Sequence, residues 1–406
     1  MNEADVLAAL GQEATGDVFA ALATGPRAID CPQLGTGRMV FPRYREVRLL
    51  LRDPRFICSP TASGMLTGVP EDIRELIAPV STWILYADPP LHSQLRAVMA
   101  KAFTARRVAA LEESITRDAV ALVRAFGDAG GGDVVTDLAD QLPLRTISTL
   151  MGIDASVRAI LKAWSDDVVL LTEPQLSAEQ QQRLAAAWQG LSRYFAELID
   201  LRRRSPADDI VSALVHADAD GVRLTNEELI ANCIALLVGG HETTGSLLSA
   251  LVLAAFEHGA APDQVLGDDT YASGFVEEVL RLYGPSKMTA RTAACDADVY
   301  GVQVRAGTRL VLMQSTANRD PEAFDNPNTF SPHRRPNPHV GFGFGAHACF
   351  GAALARIQAC AFLRAFVDKM DHYELDHTQV DWKDSQVLRT AAHVPVYVTS
   401  SARGIG

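Results

Sequence analysis

The sequence predicts a mainly α-helical protein with a smaller β part, and three stretches carry that prediction. From Ala105 to Arg204 apolar residues recur at spacings of three and four almost without a break, through LEESITRDAVALVRAF, LADQLPLRTISTLMG and LAAAWQGLSRYFAELIDLRRR. Thr225 to His258 is the longest helical pattern; the capping box Thr225-x-x-Glu228 opens it, and it is apolar nearly all round, so it belongs in the core. After Gly284-Pro285 the pattern changes to short β-type runs, KMTARTA, ADVYG and VQVRAGTRLVLM.

Composition narrows the class. The chain has 406 residues, 48% of them hydrophobic and 21% charged, the balance of a globular protein with a sizeable core. A net charge of −12 argues against generic nucleic-acid binding. The cysteines at 31, 58, 233, 295, 349 and 360 form no CxxC pair and no CxxCH, which argues against zinc ribbons, thioredoxin-type sites and covalently attached haem. Few, scattered cysteines in a long chain predict a reduced, cytoplasmic setting. The polar start MNEADVLAALGQEATGD reads as neither signal peptide nor anchor, and no run approaches the ~20 apolar residues of a membrane span. No membrane or nucleic-acid partner is therefore expected.

In chain order, residues 1–37 are helix-prone and then loop-like. Met39 to Phe41 is a short strand, and Tyr44 to Arg52 a helix that ends before Asp53-Pro54. A loop with Gly64, Gly68 and Pro70 runs to about Trp83, either a wall over a pocket or an ordinary surface connection. Asp88 is expected to cap the next helix, with Pro89 and Pro90 at its first positions. His92 and Arg96 then share one face, where they could hold an anion or simply be solvated. Breaks in the long helical region fall at Gly127–Asp133, Gly152–Asp154 and Glu173-Pro174. A helix from about Tyr271 to Tyr283 carries Glu278 and Arg281. A closing helix runs to about Lys369, followed by strands near 386–389 and 395–399, with the turn Thr390–His393 between them.

Two stretches carry unusual chemistry. In the middle of the core helix stands Gly239-Gly240-His241-Glu242-Thr243-Thr244. Two glycines cost about 1 kcal/mol each inside a helix, so they need a reason. Buried Glu242 and Thr243 need one too. A tight helix crossing with hydrogen-bonded polar groups is one account; a local widening that admits a flat cofactor and O₂ is the other. The second stretch, Val340 to Arg356, reads VGFGFGAHACFGAALAR and sets a lone cysteine in a glycine loop before a helix. Gly343-x-Gly345-x-x-Ala348 formally fits a dinucleotide loop, but Pro332, Pro336 and Pro338 occupy the place of the required strand. A packed cysteine leaves the glycines and His347 unexplained. Thiolate ligation of a haem iron is the third reading, and the helix N-terminus would lower the thiol pKa.

Phe342-Gly-Phe-Gly345-Ala-His-Ala-Cys349-Phe-Gly351, followed by Leu354-Ala355-Arg356, closely resembles the haem-binding signature of the cytochrome P-450 monooxygenases. Phe350 departs from the leucine or isoleucine common there and stays apolar. Four further ordered motifs resemble the same family: Asp88-Pro-Pro-Leu-His92-Ser-Gln-Leu-Arg96, the Gly240-His-Glu-Thr-Thr244 element, Glu278-x-x-Arg281, and Phe330-Ser-Pro332-His-Arg334. The resemblance spans about Phe41 to Val398. It implies the family's triangular prism, a single unit over residues 1–406, with the long helix crossing a haem b.

The resemblance also implies roles. Cys349 would be the axial thiolate and metal ligand. His92, Arg96, Arg291 and His347 would hold the haem propionates, with Gly240, Phe342, Gly343 and Gly351 against the cofactor. Glu242 and Thr243 would deliver protons; the peroxygenase branch lacks that acid–alcohol pair. Glu278, Arg281 and Arg334 would be structural. Ala235, Gly239, Lys287, Met288 and Thr289 would line the substrate pocket, with Lys287 unusual there. The implied reaction inserts one oxygen atom from O₂ into a small or medium organic molecule. Electrons would come from a separate ferredoxin and ferredoxin reductase, docking near Arg106, Arg107 and Arg356. Two other classes compete: a haem-thiolate sensor, which product-coupled NADPH consumption would exclude, and a nicotinamide oxidoreductase, which purification without haem would revive.

Overall fold

A computed structural model describes residues 2–11, 16–34, 37–58, 69–173, 176–219 and 221–399. Gly64, Gly68 and Pro174, expected in a pocket wall and a helix break, lie outside these. The main helices are α1 (Tyr44–Arg52), α2 (Leu91–Ala102), α3 (Glu112–Asp128), α4 (Gln141–Met151), α5 (Arg158–Val168), α6 (Ala178–Arg204), α7 (Asn226–His258), α8 (Asp269–Tyr283) and α9 (Ala352–Val367). The strands are β1 (Ile29–Asp30), β2 (Arg38–Phe41), β3 (Phe56–Ile57), β4 (Gly131–Asp133), β5 (Met288–Ala293), β6 (Ala297–Val299), β7 (Val302–Val304), β8 (Arg309–Met313), β9 (Tyr373–Leu375), β10 (Asp381–Trp382), β11 (Ala391–His393) and β12 (Pro395–Val398).

Helix α7 organises the helical part. Thr225 Oγ1 accepts the Glu228 amide and a Glu228 carboxylate oxygen accepts the Thr225 amide, so the capping box forms. Gly259 ends the helix at φ 68°, a backbone angle that suits a residue without Cβ. Between these ends α7 packs against α4, α6, α8 and α9, which explains its apolar composition on every side. Among the described residues it alone is long and apolar enough to cross a membrane, and 72% of its most apolar stretch is buried within the protein, as befits a core helix.

The larger sheet has strand order β1-β2-β8-β5-β3, with only β2 and β8 parallel. It joins residues 29–57 to residues 288–313, so the β part gathers both ends of the helical region. A second sheet, β4-β12-β9, ties the turn after α3 to the C-terminal segment.

Several local expectations change. The stretch before Trp83 contains a helix, Glu71–Ile77, and a 3₁₀ turn, Ala78–Thr82; acidic residues directly after Pro70 favour that helix start. Asp88 does not cap α2. Pro90 occupies the cap position, and the Asp88 carboxylate instead accepts the Cys58 amide at 2.8 Å. Residues 386–389 form no strand; β11 begins at Ala391 and pairs with β10, so the expected turn at 390–393 is largely strand.

The path into the cysteine loop is set by one buried carboxylate. Glu278 and Arg281, both 0% exposed at the side chain, share a bidentate pair at 2.8 and 2.7 Å. Arg334 Nε and the Ser331 amide also donate to Glu278 at 3.0 Å, and Asn337 Nδ2 at 3.2 Å. Burial pushes this carboxyl up, but the hydrogen bonds and charges of Arg281 and Arg334 outweigh it and hold it below the ordinary glutamate value. Glu278→Ala strands two guanidinium groups and is expected to cost about 3–5 kcal/mol. Urea unfolding checks this; a midpoint equal to wild type would contradict it.

Candidate active site

The cysteine loop is a tight hairpin that hands the chain to α9. The Cys349 amide donates to the Phe342 carbonyl at 2.8 Å, and the Gly343 amide to the Val340 carbonyl at 2.9 Å. Gly345 has φ +78°, and a Cβ there would stand 2.9 Å from the Leu51 carbonyl of α1, so only glycine fits. The loop's entry is pinned by Asn318 Oδ1, which accepts the Val340 amide, and by Gln314 Nε2, which donates to the Val340 carbonyl. On the far side Arg356 pairs with Glu277 through Nε at 2.6 Å, and its guanidinium lies 4.6 Å from the Phe342 ring.

Cys349 is accessible on the exposed side of the loop. Protein nevertheless surrounds it closely enough that burial raises its thiol pKa. The expected net lowering by the helix start is therefore not seen in the protein alone. The Gly351 amide, Arg356 and Arg96 pull the other way without overcoming desolvation.

Beside the loop four basic side chains converge. The His92 and His347 rings lie 3.9 Å apart, and Arg96 donates to the Ala348 carbonyl at 3.1 Å. His92 is lowered below the ordinary histidine value by burial and by Arg96 and Arg291. His347 is lowered to about 3, by burial first and then by His92, Arg291 and Arg96. His92 Nε2 and His347 Nδ1 are buried with no hydrogen-bond partner among the described residues. Two guanidinium charges beside unpartnered imidazole nitrogens make a place for an anion.

Helix α7 supplies a second accessible strip. Ala235, Leu236, Gly240 and Thr243 are half-buried and Gly239 is exposed, in a helix whose other central residues are buried. The helix stays continuous there rather than widening, and Thr243 Oγ1 donates to the Gly239 carbonyl at 2.9 Å. Glu242 is buried, and Lys383 Nζ donates to its Oε1 at 2.9 Å.

A cytochrome P450 family model matches residues 77–394. The chain is 33% identical over 404 residues to the cytochrome P450 monooxygenase PikC of Streptomyces venezuelae, covering 96% of this chain and 93% of that protein. It is 34% identical to the mycinamicin IV hydroxylase/epoxidase of Micromonospora griseorubida, covering 90% of each. Among solved structures, P450BioI in complex with an acyl carrier protein ligated to hexadec-9Z-enoic acid superposes with a TM-score of 0.85 at 29% identity, over 94% of this chain and 97% of that one. The chain belongs to the cytochrome P450 family. It is an oxidoreductase of the monooxygenase class, and the family implies a haem held by a cysteine thiolate, together with O₂, a substrate and redox partners.

The residues of this P450 fit that group. Two unpartnered imidazole nitrogens beside Arg96 and Arg291 match the carboxylates of a haem edge, and Cys349 with the Gly351 amide matches a thiolate and a donor to it.

The expected contacts of Gly240 and Lys287 are revised. A Cβ on Gly240 would meet Ile147 Cδ1 of α4 at 2.9 Å, whereas one on Gly239 meets nothing within 4 Å. Gly240 therefore stands at the edge of the strip with its Cβ direction filled by α4, and Gly239 is the glycine that faces open space. Lys287 is buried with its ammonium committed to backbone: its Nζ donates to the carbonyls of Leu10 at 2.7 Å and Ser385 at 2.5 Å. Met288 packs with the N-terminal cluster around Leu10 and Met313. Thr289 is half-buried on β5.

Other residues at the site carried weak sequence signals or none. Asn232 holds the Thr82 carbonyl and the Ile84 amide, and Ile84 in turn hydrogen-bonds His347. A lone amide in an apolar helix was a usable clue. Lys383 and Thr390, which bonds Ser246 at 2.8 Å, offered none, because both partners lie more than a hundred residues away.

The two glycines give opposite expectations. Gly239→Ala gains helix propensity of about 1 kcal/mol without a clash and should melt above wild type. Gly240→Ala forces Ile147 aside at about 1–3 kcal/mol and should melt below Gly239→Ala. Equal shifts in thermal unfolding would contradict this packing.

Proposed function

We propose that this P450 binds haem b through Cys349 and inserts one oxygen atom from O₂ into a small or medium organic molecule, as a natural-product tailoring enzyme. The observation that carries the reading is the pair of buried, unpartnered imidazole nitrogens of His92 and His347, set beside Arg96, Arg291 and the Cys349 thiol. His92, Arg96, Arg291 and His347 hold the propionates; Cys349 ligates the iron, with the Gly351 amide donating to its sulfur. Phe342 and Gly343 shape the loop that presents the thiolate. When bound, the haem supplies the oxygen-activating chemistry. The difference spectrum of reduced protein with and without carbon monoxide tests this. Wild type should show the far-red-shifted band of a thiolate-ligated haem, and Cys349→Ala should lose it; a band that survives in the variant would assign the ligand elsewhere.

Glu242 and Thr243 would hold and pass protons on the face of α7 turned to the cofactor. Thr243 stands on the accessible strip, and Glu242 follows the backbone inward to Lys383, whose ammonium is partly exposed. That sequence of groups supports a relay from solvent to the strip. Thr243→Ala and Glu242→Gln should each lower product formed per NADPH by about tenfold or more while haem content stays unchanged. Thr243→Ser should keep most of the coupling. Unaltered coupling in both first variants would remove these residues from proton delivery.

Ala235, Gly239 and Thr289 contribute to the substrate wall. The relative named for hydroxylating and epoxidising mycinamicin IV supports a natural-product scaffold for this chain too. Electrons come from a separate ferredoxin and its reductase. Arg107 is committed to the Ala102 carbonyl and to Asp208, and Arg356 to Glu277, which leaves exposed Arg106 as the docking charge to test. Arg106→Glu should slow ferredoxin-supported turnover most at low salt and leave the carbon monoxide spectrum intact. A rate equal to wild type at low salt counts against this docking face.

A further inference from the structure

Apart from the thiol loop, a second cluster of ligating side chains sits where α5 crosses α7. One ligand atom each from Asp166, His241 and Glu242 lies within 4.8 Å of the others. His241 is 0% exposed, and neither of its ring nitrogens has a hydrogen-bond partner among the described residues. Burying an imidazole with both nitrogens unsatisfied is costly, and buried polar groups ordinarily find a partner. Asp166 Oδ1 is also buried without a partner, while its Oδ2 accepts Lys162 Nζ at 2.8 Å. Glu242 Oε1 is taken by Lys383, which leaves Oε2 outside that ion pair. Lys162 also pairs with Asp140 at 3.1 Å, so three carboxylates face two ammonium groups and the cluster keeps a negative charge.

We propose that Asp166, His241 and Glu242 form a binding site for a divalent transition-metal cation of the zinc type. One borderline imidazole with two hard carboxylates, only three protein ligands in all, suits zinc better than calcium or magnesium, which take larger all-oxygen shells. A tetrahedral ion with bonds of about 2.1 Å needs its ligand atoms about 3.4 Å apart, which small side-chain rotations from the observed separations reach. The ion enters from solvent, because the Asp166 and Lys383 side chains are 35% and 41% exposed. Its fourth position is left to water. Resting on the proton role proposed for Glu242, occupation of the site withdraws that carboxylate from delivery and slows turnover.

Calorimetric titration of zinc chloride into haem-loaded, chelator-washed ferric protein tests the site without any turnover. Wild type should take up one zinc per chain, and Asp166→Asn and His241→Gln should bind it at least about tenfold more weakly. Asp166→Asn alters a partly exposed group and preserves shape, so it stands as the decisive variant if His241→Gln does not fold. No uptake by wild type, or uptake unchanged in Asp166→Asn, overturns the site; zinc held by surface histidines would give the second result. Product formation with and without zinc, each protein compared with its own metal-free rate, then separates the two claims. Zinc that binds as expected and slows wild type more than Asp166→Asn supports both. Zinc that binds as expected but leaves wild-type turnover unchanged keeps the site and removes Glu242 from proton delivery.

Discussion

Adjacent glutamates on α8 hold the thiol loop from two sides. Glu278 faces inward and gathers Arg281, Arg334, Ser331 and Asn337, so the irregular chain before the loop wraps on one carboxylate. Arg281 extends the same network to the Asn318 and Pro327 carbonyls, and Asn318 in turn accepts the Val340 amide at the loop's entrance. Glu277, one residue earlier and roughly a hundred degrees around the helix, takes His339 and Arg356 on either side of the cysteine. Burial raises the Glu277 carboxyl, but its bonds to His339 and Arg356 prevail and bring it down to about 2. An irregular segment thus acquires the rigidity of a regular one, since its free carbonyls and amides are satisfied by charged side chains of a helix.

Helix α7 works under two demands that conflict. As the core helix it is apolar nearly all round, yet one strip of it is accessible and carries the Thr243 hydroxyl. The sequence resolves this with small residues. Gly240, at the edge of the strip, lets α4 approach through Ile147, and Gly239 leaves the accessible strip clear. Asn232 then joins the helix to the thiol loop through Ile84 and His347, so the two walls are registered by hydrogen bonds rather than by packing alone.

Much of this is legible in the sequence. The start of α7 followed from a capping box, and the end of α1 from the proline after Asp53, because those signals are local and depend on backbone geometry. The thiol loop, the Glu278 pair and the Glu242–Thr243 element were legible through their resemblance to the family's motifs; spacing alone makes Glu278 and Arg281 an ordinary surface pair. Lys287 was misplaced because a lysine near a pocket looks functional until the carbonyls that fix its ammonium are known. Asp88 was misassigned as a cap because the Cys58 amide that claims it lies thirty residues away.

The sequence by itself determined the helical class, the main helix boundaries and the chemical character of each motif, since periodicity, caps and residue type act within a few residues of chain. Tertiary structure alone decided which of two neighbouring glycines is open, which arginines are committed to internal carboxylates, and that Lys383 reaches Glu242 across 141 positions. Those outcomes depend on helix crossings and long-range ion pairs, and no local pattern encodes where a distant side chain arrives.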